Sequence, residues 1–176
     1  MNTMDSHANK ILIAIDDSKT TEHAMHQVTQ RIGPNPRVQI LLLHVAGPIP
    51  PKLLEFGGSE DPEEEAQREA QLRAAQAQWW QQVEQAAQPI FAKARAILRP
   101  ARLPDEAIET RTYPLLPGQD LGTVILAAAQ STACDTVVLG RSSFTWWQAL
   151  SQQHVADTLE QANHEFTLWI VDDEKA

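Results

Sequence analysis

The 176 residues include 23 Asp or Glu against 14 Lys or Arg, a formal charge of −9 with a sequence pI near 5.0. That length is the usual span of a single core, and so acidic a balance excludes binding along a nucleic-acid backbone, which needs clustered Lys and Arg. The one cysteine, Cys134, excludes an internal disulfide and a cysteine-based zinc site.

In chain order, Met1 to Lys10 is polar and lacks the apolar centre of a signal peptide. Residues 1–9 are expected to be a flexible N-terminus ahead of a domain over 10–172. Lys10-Ile-Leu-Ile-Ala-Ile15 is a continuous apolar run, the pattern of a strand covered on both faces. It ends at Asp16-Asp17-Ser18, where Asp17 or Ser18 suits a helix cap. Ala24, Val28 and Ile32 recur at steps of four and predict a helix over Thr20–Ile32, stopped by Gly33-Pro34. Val38–Val45 reads as a second buried strand, followed by breaks at Gly47-Pro48, Pro50-Pro51 and Gly57-Gly58.

Six acids against Arg68 crowd residues 60–69, and Asp61 before Pro62, with Glu64 three residues on, reads as a helix cap. Much of the net charge is therefore a helix start. The helical signal continues to about Leu98, with Leu72, Trp79, Val83, Ala86, Ile90, Ala94 and Ile97 on one face. Pro89 is expected to kink this helix or divide it in two. Glu109–Tyr113 reads as a short third strand, closed by Pro114 and Pro117-Gly118. Leu121, Val124, Ile125 and Ala128 give a helix, Asp135–Gly140 a fourth strand, and roughly Gln153–Ala162 a further helix. Phe166–Val171 is a last strand before an acidic tail at 173–176. No apolar run approaches the ~20 residues of a membrane-spanning helix, so a cytoplasmic chain without membrane insertion is expected.

Alternating strands and helices predict an α/β fold: a single doubly wound, five-stranded, mostly parallel sheet of Rossmann-like type, with an extended helical segment after the second strand. Neither a repeat nor a second domain is evident. Ligands of such sheets bind beyond the strand carboxyl ends, where strand order reverses. Asp16, His44 to Ala46, and Gly140 to Ser143 fall there. Paired acids after a first strand also suit a phospho-receiver domain, but the second strand ends in His44-Val45 and no lysine follows the last strand before Lys175.

The chain from Lys10 to Val171 resembles the universal stress protein family. The likeness rests on Ile-Ala-Ile-Asp16-Asp17-Ser18, on Leu-Leu-His44-Val45, on Pro117-Gly118-Gln-Asp120 before an Ile- and Ala-rich helix, and on Cys134-Asp135-Thr-Val-Val-Leu-Gly140-Arg141. The resemblance implies an adenine nucleotide alpha hydrolase-like sheet. Family members that bind ATP carry glycine, two residues, glycine, nine residues, then glycine with serine or threonine after the fourth strand. Such glycines let backbone N–H groups approach phosphate. Here the first is Gly140, but the second falls on Ser143, the third on Gln153 and the hydroxyl position on His154. The resemblance therefore implies the branch that lacks the motif: a regulatory or interaction module in stress response, with no cofactor and no enzymatic activity. The alternative is an ATP- or AMP-binding member with a variant loop and at most slow hydrolysis. Asp16 and Val45 would then flank the adenine–ribose end, with Gly140, Arg141, Ser142, Ser143, His154 and Val155 around the phosphates. A nucleotide-using enzyme of a related superfamily is a third reading, for which no nucleophile or base can be named.

The family's last strand commonly pairs across a dimer two-fold, so the resemblance implies a homodimer through Thr167 to Val171. Adjacent residues on a helix lie roughly 100° apart, so one ring of each pair Trp79-Trp80 and Trp146-Trp147 can face the core. An exposed tryptophan would instead mark a protein partner, and Trp146-Trp147 is a candidate to fill space that a nucleotide would occupy. His23 and His26 have no third ligand at a motif spacing and read as solvated helix residues. Cys134 reads as a buried thiol, and His44 as a strand-end residue tied to backbone.

Overall fold

β1 (Asn9–Ile15) and β2 (Val38–Pro48) are almost wholly buried runs of Ile, Leu and Val, and their side chains alternate between two separate cores. The computed structural model describes residues 9–55, 57–162 and 165–173. The remaining elements are α1 (Lys19–Ile32), α2 (Pro62–Leu98), β3 (Ile108–Leu115), α3 (Leu121–Ser131), β4 (Thr136–Gly140), α4 (Thr145–Ser151), α5 (Val155–Ala162) and β5 (Thr167–Val171). Short 3-10 turns lie at Pro51–Leu53, Arg99–Ala101 and Asp105–Ala107. Five strands form one sheet in the order β3-β2-β1-β4-β5, and every pairing is parallel. The expected sheet is thus present. The expected flexible N-terminus lies at 1–8 outside the described residues, while Asn9 already pairs with Val38.

One face of the sheet, through Ile11, Ile13, Ile15, Ile40 and Leu42, packs on Met25 and Val28 of α1 and on Phe91 and Leu98 of α2. The other, through Leu12, Ala14, Leu41, Leu43 and Val137, packs on α3, Phe144 and α5. Helices on both faces make the sheet doubly wound, and the order reverses between β1 and β4. The carboxyl ends of those two strands therefore open onto a common crevice.

The caps follow the sequence closely. Ser18 accepts from the Thr21 N–H at the start of α1, Asp61 from Glu63 in α2, and Asp120 from Thr123 in α3.

At two prolines an element runs on past an expected break. α2 runs unbroken through Pro89 for 37 residues, about 55 Å at ~1.5 Å per residue. Pro89 removes the partner of the Gln85 carbonyl, but both residues are exposed, so water can satisfy that carbonyl. β3 likewise continues through Pro114 to Leu115, pairing Pro114 with Ala46; it is an edge strand, where a missing N–H is tolerated. The buried stripe of α2 also differs from the predicted face. It is Ala87, Phe91, Ala94 and Leu98; of the predicted face Ala94 is buried and Ile90 and Ile97 pack against that core, whereas Ala86 is exposed and Leu72, Trp79 and Val83 are half-buried. Only the C-terminal half of α2 meets the body of the sheet.

Candidate functional site

At the end of β1 the Asp16 carboxylate collects four donors. Oδ1 accepts from the Ser18 N–H at 3.2 Å, the Ser18 hydroxyl at 2.6 Å and the Thr21 hydroxyl. Oδ2 reaches across the crevice and accepts from the backbone N–H of Phe144 at 2.6 Å. Thr21 Oγ1 lies 3.0 Å from Ser143 Oγ, and both side chains are buried. The segment after β4 is thereby tied to the start of α1.

That tie holds Phe144 in a left-handed conformation, φ 58° and ψ 53°. For a residue with a Cβ this costs about 1–2 kcal/mol. Burying the ring contributes about 1.5–3 kcal/mol, and a hydrogen bond to a charged carboxylate about 1.5–3 more, so the strained backbone persists. Phe144 is 0% exposed and joins the core that contains Val45, Leu121 and Val155. Trp146 stands edge-on to it at 6.4 Å, and Trp147 edge-on to Trp146 at 6.4 Å. These rings are half-buried against the same core, and they lie in the first turn of α4, a helix that no periodicity in the sequence marks.

Gly140 is crowded. A Cβ there would lie 2.3 Å from Thr20 Cγ2 and 2.8 Å from the Thr20 carbonyl oxygen. The glycine therefore serves the close approach of α1 to β4.

Beyond it, Arg141 and Ser142 are engaged by the residues that follow β5. The Arg141 N–H donates to the Val171 carbonyl at 2.8 Å, and its Nε donates to Asp172 at 2.6 Å. Its other nitrogens approach Asp157 at 3.9 Å and Glu160 at 3.8 Å, both on α5. The hydrogen bond to Asp172 raises the Arg141 pKa above its ordinary value, with the charges of Asp172, Glu160 and Asp157 adding to it. Asp173 accepts from Ser142 Oγ at 2.5 Å and from Thr20 Oγ1 at 2.7 Å. Those two hydrogen bonds hold its carboxyl below the ordinary value, and His154 and Arg141 contribute smaller attractions.

The residues singled out from sequence thus converge at one end of the sheet, in unequal states. Asp16, Gly140, Arg141, Ser142 and Ser143 line the β1–β4 crevice, and half-buried His154 precedes α5. Val45 and Val155 are wholly enclosed with Phe144. Sequence reasoning missed Phe144, Thr20, Thr21 and the Asp172–Asp173 pair. No motif marks Phe144, whose role depends on a positive φ. Asp172 and Asp173 had read as a chain end and tail, although a position immediately after an edge strand beside β4 faces the β4 loop.

At His44 and Cys134 the expectations are met. His44 Nδ1 lies 3.1 Å from the Ile15 carbonyl oxygen, and its ring stands edge-on to Phe91. Cys134 is buried beside Thr132, and burial raises its thiol pKa. Trp79 and Trp80 are half-buried. A groove of about 630 Å³ separates the Trp79 side of α2 from Leu53. Among the described residues no helix is long and apolar enough to cross a membrane, and no His, Cys, Asp and Glu grouping could hold a metal ion.

A doubly wound parallel sheet with its polar cluster at the β1–β4 switch point defines an α/β protein of the Rossmann-like class. The model of the universal stress protein family matches residues 7–162, and the chain belongs to that family. No curated protein matches it. Among solved structures it is similar to a hypothetical protein whose biochemical function was assigned from its structure, with 15% identity, 97% of this chain and 99% of that one covered, and a TM-score of 0.59. It is also similar to a universal stress protein in complex with cAMP, with 13% identity, 93% and 95% covered, and a TM-score of 0.54. A third is a universal stress family protein from Burkholderia pseudomallei, with 16% identity, 94% and 97% covered, and a TM-score of 0.53. At such identities the likeness establishes the fold.

Proposed function

We propose that the chain is a regulatory or interaction module of the universal stress family that takes no ATP through the family's usual loop and catalyses no reaction. The observation that carries this reading is the closure of the β4 loop against the end of β1, the core and the residues after β5. The Phe144 ring fills the core beside Val45, its N–H is spent on Asp16, and Arg141 is held by Asp172. A nucleotide seated there would have to displace a buried aromatic ring and several hydrogen bonds.

Mass spectrometry of small molecules released from the purified protein, with calorimetric titration of ATP and AMP, tests the reading. Neither bound nucleotide nor binding heat is expected. Adenine nucleotide at near-stoichiometric level would overturn it in favour of the second reading, an ATP- or AMP-binding member with a variant loop. The complex of one fold relative with cAMP favours that alternative.

The module acts as a homodimer through Thr167–Val171. Supporting this, β5 lies at a sheet edge, pairs with β4 on one side, and carries half-buried Leu168, Trp169 and Ile170. An uncovered apolar edge of this kind is an aggregation hazard that pairing removes. Leu168→Pro should give a monomer or an aggregate by light scattering, and an unchanged dimer would refute this interface.

A further inference from the structure

We propose that Asp172 and Asp173 form an internal ligand, a carboxylate strap that occupies in cis the anion-binding groups of Arg141, Ser142 and Thr20. This deepens the proposed function and rests on it, because the strap is one reason the loop takes no phosphate. The geometry is that of anion recognition. A guanidinium Nε and two hydroxyls converge on two successive carboxylates, at 2.6, 2.5 and 2.7 Å. The donors come from the β4 loop and from the first turn of α1, two elements joined at the Gly140–Thr20 contact. The acceptors follow directly from β5, whose Val171 carbonyl receives the Arg141 N–H, so the strap is positioned by the sheet itself.

A carboxylate and a phosphate oxygen make the same charge-assisted hydrogen bonds with such donors. The strap competes at the high effective concentration of an intramolecular ligand, and its two negative charges repel an incoming phosphate. Asp157 and Glu160 of α5 also face Arg141, at 3.9 and 3.8 Å from its terminal nitrogens. They remain when the strap is neutralised. The ligand class the unstrapped groups would take is therefore a single phosphate group, carried on a nucleotide or free.

The test compares the full chain with D172N/D173N, using phosphorus NMR titrations of inorganic phosphate and of AMP. The double variant should bind phosphate about ten- to a hundredfold more tightly than the parent, and R141Q in the double-variant background should abolish the gain. Tightening for both probes assigns the site to phosphate alone. Tightening for AMP only assigns it to a nucleotide, and either result supports the strap. Equal affinities in parent and double variant, with native circular dichroism, would overturn it: Arg141 would then have turned fully to Asp157 and Glu160. If the double variant does not fold, D173N alone supplies the comparison. Tight AMP binding by the parent would sink the proposed function instead, while the ratio between parent and variant would still judge the strap.

Discussion

The Asp16 Oδ2 atom and the backbone N–H of Phe144, 128 positions apart in sequence, meet at 2.6 Å across the β1–β4 crevice. This one bond joins the end of the first strand to the loop after the fourth. It engages the N–H of the left-handed Phe144, whose carbonyl accepts from the Trp147 and Gln148 N–H groups.

Asp16→Asn places an amide where both oxygens accept from donors. One nitrogen must then face the Phe144 N–H or the hydroxyls of Ser18 and Thr21. A loss of about 1–3 kcal/mol follows from leaving such a partner unsatisfied. Urea unfolding of the variant should show a lowered midpoint with an unchanged slope, and an unshifted midpoint would mean that the crevice contact contributes nothing.

Phe144→Ala removes the largest side chain in the loop while keeping the same backbone requirement at φ 58°. Cavity formation beside Val45, Leu121 and Val155 should cost about 3–5 kcal/mol. A loss near 1 kcal/mol would mean that Trp146 collapses into the vacated space. Near-ultraviolet circular dichroism distinguishes these outcomes, since collapse would alter the tryptophan signal.

Much of this fold was legible because its strands are continuous apolar runs and its helices begin at Ser18, Asp61 and Asp120. The parallel sheet and the placement of Asp16 and Gly140 followed from alternation alone. The state of the site did not. Whether Gly140 faces a ligand or a neighbouring helix depends on the distance to Thr20, and periodicity carries no distance across the sheet. The role of Asp173 depends on β5 lying next to β4, a long-range fact. That Pro89 leaves α2 undivided was hidden for a related reason: its cost turns on whether the freed carbonyl meets water or protein, which only burial decides.

Two glycines test close packing directly. A Cβ at Gly140 would meet Thr20 side chain and backbone, and one at Gly122 would lie 2.6 Å from Thr158 Oγ1 and 2.9 Å from the Thr158 carbonyl carbon. Neither obstacle is only the far end of a flexible chain. Gly140→Ala and Gly122→Ala should each destabilise by about 1–3 kcal/mol, the range for overpacking. Exposed Gly58, with nothing within 4 Å of a built Cβ, is the control whose alanine variant should leave thermal unfolding nearly unchanged. Equal effects at all three positions would refute the steric account.

Asp173 gives the strap a pH signature. Hydrogen bonds from Ser142 and Thr20 hold its carboxyl below the ordinary value of 3.8. A depressed folded-state pKa contributes stability that is complete above the unfolded value and is lost as pH falls through the lowered one. The thermal midpoints of the parent and Asp173→Asn should therefore differ by a constant amount from neutrality down to about the ordinary carboxylate value, and should converge below it. Asp173 is exposed and its partners Ser142 and Thr20 are half-buried, and screening keeps the difference under about 1 kcal/mol, or roughly 2–4 °C for a domain of this size. A gap that instead widened as pH fell past 3.8 would show that the neutral acid, and not the carboxylate, makes these bonds.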